Sequence, residues 1–407
     1  MKLAKSLFLG SVAGLAAVAG AQAADLPVKK AAAVEYVRVC STYGAGFFYI
    51  PGTETCLRVA GRVRAEYQYL EPLTRASNSI GFRARGRVQL DARTATAYGL
   101  LRAFVRMELD RNTGVYASSS VGSPFVGATN TSNLAQAYIQ FGGLTAGRTT
   151  SFFANGDLPN ENITTLRFYD YPDVNLLAYT FSFGNGFSAT LSLEDGQTTL
   201  VGNEALFGTG GQRWPDVVGN VKYAGTWGSV QVSGALHQAR SAFAEFDSEL
   251  GWAIGTQIGF NLPMLGAGDA LWLAAAYADG ALGYLGFTGT SFGVSEASAP
   301  TADVYIGAGG DEETAQGWQV AGGLRHYWTP TIRSAVHGSY ASVEYDDAPV
   351  GLADFTEWRV GVNTFWTPVA GLNIGVEALY ANLDVDGEVA GIDDDRWEAR
   401  FRIQRDF

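Results

Sequence analysis

Between residues 80 and 93 apolar and polar positions alternate without a break. Ile80, Phe82, Ala84, Gly86, Val88, Leu90 and Ala92 are separated by Arg83, Arg85, Arg87, Gln89, Asp91 and Arg93. Successive side chains of a β-strand point to opposite faces, so the stretch predicts a strand with one apolar and one charged face. Residues 57–69 repeat the pattern. Val59, Val63, Ala65, Tyr67 and Tyr69 alternate with Arg58, Arg62, Arg64, Glu66 and Gln68. Ala103, Val105, Met107 and Leu109 likewise oppose Arg102, Arg106, Glu108 and Asp110. Leu250, Trp252, Ile254, Ile258, Phe260 and Leu262 share one face of a later segment, as do Leu372, Ile374, Val376, Ala378 and Tyr380. The chain closes with Trp397, Ala399, Phe401, Ile403 and Phe407 set against Arg396, Glu398, Arg400, Arg402 and Gln404. Arg405 breaks this last alternation, and a long side chain near a strand end can snorkel to an interface.

The segments between these strands come in two sizes. Short connections are predicted at 94–97, 142–143, 184–186, 226–228, 263–269, 329–330 and 367–371. Long polar ones are predicted at 71–79, 112–132, 150–173, 196–216, 241–248, 280–313, 346–354 and 385–394. Seven short turns and eight long loops join sixteen strands, with both termini on the short-turn side; eighteen strands remain an open count. An even strand number with this asymmetry is what an outer-membrane barrel shows, short turns in the periplasm and long loops outside. The predicted fold is therefore all-β, a transmembrane antiparallel β-barrel over residues 57–407. In lipid every backbone N–H and C=O must find a partner, and closing the sheet on itself removes unpaired edges.

A soluble sandwich or propeller also alternates. Its solvent face would rarely carry a ladder such as Arg83, Arg85, Arg87, and its apolar face would have to pack on another. The aromatic residues favour a membrane. Trp328-Thr329-Pro330 and Trp366-Thr367-Pro368 each place a tryptophan just before a short turn, and Tyr98, Trp227 and Phe407 fall at equivalent heights. Amphipathic rings at strand ends make the girdles of a membrane barrel.

The N-terminus reads as an export signal. Lys2 and Lys5 precede an apolar stretch, residues 7–19, and Ala21-Gln22-Ala23 has the small-x-small form of a cleavage site. The stretch is too short for the ~20 residues of a spanning helix. Residues 1–23 are thus expected to be removed. Residues 24–56 form a periplasmic-side segment in which Cys40 and Cys56, close together in an exported chain, are expected to pair as a disulfide.

Composition adds one fact of consequence, an uneven charge. Residues 57–111 hold eleven arginines and five acids, net +6, whereas residues 112–407 hold twelve basic residues and thirty-two acids, net −20. A nucleic-acid binder would be basic overall. The three histidines, His237, His326 and His337, are far apart in sequence and are expected in the lumen or loops. No metal or cofactor site is expected. Asp384-Val385-Asp386-Gly387-Glu388 and Asp393-Asp394-Asp395 resemble pieces of a calcium loop but lack its full spacing, so a solvated outer loop is expected. No nucleophile–histidine pairing or phosphate loop suggests an enzyme.

The chemistry expected is electrostatic. If the barrel closes, its first three strands and its last are neighbours. Their inward residues Arg58, Arg62, Arg64, Arg83, Arg85, Arg87, Arg102, Arg106, Arg400 and Arg402 would then form one basic wall. The third long loop carries Asp157, Glu161, Asp170 and Asp173. Folded inward, it would set these carboxylates across a narrow gap from the arginines, a transverse field that sieves solutes by size and dipole.

Residues 34–58, VEYVRVCSTYGAGFFYIPGTETCLR, closely resemble the opening of the alphaproteobacterial porin family, both cysteines included, and the ending FRIQRDF extends the likeness. The resemblance implies a sixteen-stranded homotrimeric general porin of the outer membrane. In such a porin the third external loop folds into the lumen, lipid and lipopolysaccharide lie outside, and small hydrophilic solutes pass within. The rival readings are a channel selective for anionic solutes or sugars, and a structural or adhesive barrel with little conductance.

Overall fold

The computed structural model describes residues 38–72, 75, 77–117, 127–170, 172–198, 201, 210–243, 246, 248–287, 301–386 and 395–407. The expected signal peptide, residues 1–23, lies outside the described residues, as do residues 24–37 and Gly387, Glu388, Asp393 and Asp394. The strands are β1 (Phe48–Tyr49), β2 (Cys56–Leu70), β3 (Ile80–Thr96), β4 (Gly99–Gly114), β5 (Thr129–Phe141), β6 (Leu144–Thr150), β7 (Asp173–Gly184), β8 (Phe187–Glu194), β9 (Asp216–Gly225), β10 (Gly228–Arg240), β11 (Ser248–Asn261), β12 (Ala270–Asp279), β13 (Val304–Ile306), β14 (Glu312–Thr314), β15 (Gln316–Thr329), β16 (Ile332–Glu344), β17 (Phe355–Val369), β18 (Leu372–Val385) and β19 (Asp395–Asp406).

Sixteen of these, β2–β12 and β15–β19, pair antiparallel with their sequence neighbours, and β19 pairs with β2 to shut the sheet. Closure removes the edges that would otherwise leave backbone groups unpaired in hydrocarbon. At the seam Gly61 donates to the Phe407 carbonyl (2.9 Å) and Phe407 donates back to Gly61 (3.1 Å). A Cβ on Gly61 would collide with the Phe407 ring and the Arg87 carbonyl, so only glycine lets the terminal aromatic seat there. All seven short turns and all eight long connections fall where the alternation placed them. The second long connection is shorter at both ends than expected, because β4 runs on to Gly114 and β5 starts at Thr129.

The barrel is inside out relative to a soluble sheet. Val59, Val63, Phe82, Val88, Val232, Ile254, Val362 and Val376 are exposed, while Glu66, Gln68, Asp91, Gln257, Glu357 and Glu377 are buried. Outward apolar residues find their solvent in acyl chains; inward polar ones pair with one another across the wall. Aromatic rings mark both rims. Trp252–Tyr277, Trp318–Tyr340, Trp358–Tyr380 and Tyr380–Trp397 lie within 5.0–5.4 Å at the loop end. Phe187–Tyr223, Tyr223–Trp227 and Trp227–Phe260 lie within 4.4–5.9 Å at the turn end. Arg405, the residue out of pattern, is exposed and donates to the Ala370 carbonyl in the last short turn. That gives it a polar partner at the strand end.

Cys40 and Cys56 form the expected disulfide, Cα–Cα 6.0 Å. It ties β1 and the turn at Ser41–Tyr43 to the start of β2, and both cysteines share a buried cluster with Phe47. Arg93 stacks over the rings of Phe47 and Tyr43, and Arg58 over Phe47, so the segment leans on the inner wall at the turn end.

Candidate functional site

The inward faces of β2, β3, β4 and β19 carry the arginines singled out by alternation, and closure at the β19–β2 seam makes them one surface. They do not stand alone. Arg62 donates to Asp406 (2.5 Å) and Arg64 to Gln404 (2.8 Å). Arg83 donates to Asn112 (2.9 Å), Arg85 holds Asp110 through two bonds of 2.7 Å, and Arg87 donates to Glu108 (2.6 Å). Arg102 grips Asp91 (2.9 and 3.0 Å) and Arg106 reaches Gln89 (3.0 Å). Arg402 donates to Glu66 (2.8 Å). Arg400 pairs with Glu398, is almost wholly buried, and donates to the Ile163 carbonyl (3.0 Å). It therefore holds a loop and does not line open space. The interleaved acids relieve the repulsion of like charges two residues apart, and they sit deeper. Glu66 is 1% and Glu108 6% exposed, against 20% for Arg85 and 15% for Arg87. Water meets mainly the guanidinium side of these pairs, except at Asp406, which is more exposed than Arg62.

The connection 151–172 between β6 and β7 reaches strands far from it in sequence. Asn155 donates to the Gln257 side chain (2.6 Å) and to Ser229 (2.9 Å), and Gln231 donates to the Phe152 carbonyl (3.1 Å). Ile163 and Thr164 donate backbone N–H groups to Glu377 (2.8 and 2.7 Å). Arg167 pairs with Glu357 (3.0 Å), and Arg359 donates to the Thr165 carbonyl (2.9 Å). These partners lie on β10, β11, β17 and β18.

The four acids expected on this connection go to four places. Asp157 pairs with Lys222 of β9 (2.6 Å), and Glu161 with Arg333 of β16 (2.6 Å) and Arg325 of β15 (4.0 Å). Asp170 is exposed and accepts from Asn160 (2.9 Å). Asp173 opens β7 and accepts from Gln136 (2.7 Å) and Thr150 (3.1 Å). None of the four touches the β2–β4 arginines. Lys222, Arg325, Arg333, Glu357 and Glu377 were not among the residues singled out, although each stands at an inward position of its strand. Inwardness was legible; which inward residue meets the loop was not.

At the loop end the described residues Val201, Leu282, Tyr284, Leu285 and Tyr305, between β8 and β9 and between β12 and β15, share an apolar cluster. Beneath them lies a closed polar group. His237 is bonded to Asp216 (2.8 Å), which also accepts from the Tyr284 hydroxyl (2.7 Å). Asp303 accepts from the Val201 N–H (2.6 Å) and the Leu282 N–H (2.7 Å), 3.8 Å from His237. Burial lifts the Asp303 carboxyl from the usual carboxylate range to about 6. A carboxyl that holds its proton more tightly folded than unfolded adds stability as pH falls through about 6, in full below about 4. The two connections are therefore expected to be held more firmly at pH 5 than at pH 8. Hydrogen exchange of the Val201 and Leu282 amides, corrected for intrinsic rate, should slow on acidification. Asp303→Asn should weaken that change; an identical pH dependence in the variant would assign it elsewhere.

A family model described as "Porin subfamily" matches residues 25–402. Porin Omp2b of Brucella canis is 32% identical over 420 residues, covering 99% of both chains, and Porin Omp2b of Brucella abortus matches equally. Among solved structures, the outer membrane channel DcaP of Acinetobacter baumannii superposes with a TM-score of 0.66 at 18% identity, covering 88% of this chain and 99% of that one. The anion-selective porin from Comamonas acidovorans gives a TM-score of 0.52 at 11% identity, covering 87% and 100%.

Proposed function

This chain belongs to the porin subfamily, and from that premise we propose that its selectivity is set between the β2–β4 arginines and the connection 151–172, folded into the lumen as a constriction. The protein is a general diffusion porin, a multi-pass β-barrel of the outer membrane. The observation that carries the proposal is the set of bonds tying 151–172 to β9–β11 and β15–β18. A loop drawn to those strands leaves the water path on the opposite side, along Arg62, Arg64, Arg83, Arg85, Arg87, Arg102, Arg106 and Arg402. In this reading the exposed acids of the loop, Asp157 and Asp170, set a field against the arginines across the gap. Purified protein in a planar bilayer should give an ohmic conductance, and liposomes containing it should swell in small sugars at rates that fall steeply with size. Absence of any conductance would sink the reading.

We propose further that the working unit is a homotrimer. The loop-end belt of tryptophan and tyrosine runs along β11–β19, yet β4–β7 turn Leu109, Ser132, Arg148 and Asn175 outward at the corresponding stretch. An arginine turned to lipid costs free energy at any depth, about 0–1 kcal/mol near an interface and about 2–4 kcal/mol at the midplane. A neighbouring subunit would take the place of lipid there.

A further inference from the structure

The register of β2 against β3 sets Arg62 directly opposite Arg87 and Arg64 directly opposite Arg85. Like charges directly opposite each other on one sheet face are destabilising. A wall that needed only polar filler has no use for two such rungs in succession. Their side chains lean apart. Arg62 and Arg64 are held on the β19 side by Asp406 and Gln404, and Arg85 and Arg87 on the β4 side by Asp110 and Glu108. The result is two guanidinium columns with the β2–β3 boundary between them, each side chain 13–23% exposed. Arg62 and Arg64 are held through Nε, and an Arg64 terminal nitrogen lies 4.0 Å from Glu66, so neither guanidinium spends all its donors on its β19 partner.

Around this quartet the charges do not balance. Arg62, Arg64, Arg83, Arg85, Arg87 and Arg402 are neighbours of four carboxylates, Glu66, Glu108, Asp110 and Asp406. Glu66 and Glu108 are buried behind the arginines, and Asp406 is the more open exception at the turn end. A planar guanidinium matches the oxygens of carboxylate and phosphate with paired N–H donors, which a bare point charge does not. Two such groups on each side of a cleft offer a tetrahedral or planar oxyanion several donors at once, at a place where the protein has left positive charge in excess.

We propose that Arg62, Arg64, Arg85 and Arg87 form a weak binding step for small solutes bearing a phosphate or carboxylate, so that such solutes pass by a saturable route. The proposal rests on the reading that the water path runs along this wall. Occupancy relieves the repulsion across both rungs, and weak affinity keeps the solute moving.

The probe is inorganic phosphate, added to a single channel conducting chloride at constant ionic strength. Wild-type conductance should change along a saturating curve. Arg64→Gln with Arg85→Gln should raise the half-saturating concentration roughly tenfold, equivalent to about 1.4 kcal/mol. Arg111→Gln with Arg405→Gln, which removes the same two charges from exposed outward positions, should leave the curve in place. Because loss of Arg85 strips Asp110 of its partner, Arg64→Lys with Arg85→Lys supplies a second variant that keeps charge and loses the fork; it should shift the curve part of the way. A phosphate dependence without saturation, or a curve that neither variant moves, overturns the site while leaving the pore standing. A wild-type channel that conducts no chloride removes the pore and the site together.

Discussion

Replacing Glu377 with alanine is expected to release residues 161–167 from the barrel wall and to produce a noisier channel that admits larger sugars. The Glu377 carboxylate is 3% exposed and accepts the Ile163 N–H (2.8 Å), the Thr164 N–H (2.7 Å), the Asn363 amide (2.8 Å) and the Thr164 hydroxyl. Hydrogen bonds to a charged partner contribute about 1.5–3 kcal/mol each, and each buried donor left without one costs about 1–3 kcal/mol. The loss is local, since the backbone ladders of β17, β18 and β19 do not use this side chain. Other contacts also hold the stretch, Arg167 on Glu357 and Arg400 on the Ile163 carbonyl. For that reason fluctuation is expected in place of a single wider state. Single-channel recording should show new flicker, and liposomes should swell several-fold faster in a trisaccharide with little change for a monosaccharide. Glu377→Gln, which keeps an acceptor and loses the charge, should fall between. Wild-type noise and sieving in the alanine variant would mean that this anchor does not set the aperture.

Neutralising Arg83, Arg85 and Arg87 together to glutamine is expected to move ion preference strongly toward cations. A unit charge about 7 Å from the path contributes about 0.6 kcal/mol at the dielectric of water. That is nearly threefold in local ion concentration per charge, so three together change the anion-to-cation permeability ratio by roughly tenfold or more. Glu108 and Asp110 would lose their guanidinium partners and Glu66 one of its three, which adds to the shift. Reversal potentials in asymmetric salt measure it, and the effect should shrink in 1 M salt, where charges are screened within about 3 Å. An unchanged reversal potential at low salt would place the ion path elsewhere.

The alternation that exposes Ile80 and Phe82 and turns Arg83 and Arg85 inward needs no knowledge of neighbouring strands, because pleating itself sends successive side chains to opposite faces. Strand number, turn and loop order and the Cys40–Cys56 pair were legible for the same reason. Each depends on period two or on residues close in sequence. Even the seam was implied, since short turns at one end and an even strand number bring β19 beside β2.

The pairings of the connection 151–172 with distant strands had no such signature. Arg167 finds Glu357, 190 residues away, and Glu161 finds Arg333, 172 residues away. Asp157 and Glu161 were expected to face the arginines of the first strands and instead pair with Lys222, Arg325 and Arg333. Sequence alone established two-faced strands and a closed wall, because these follow from local pleating and from the need to satisfy every backbone group in lipid. Only the tertiary structure decided which charges hold the loop, because a connection bonded to distant strands joins residues whose separation along the chain leaves no periodic trace.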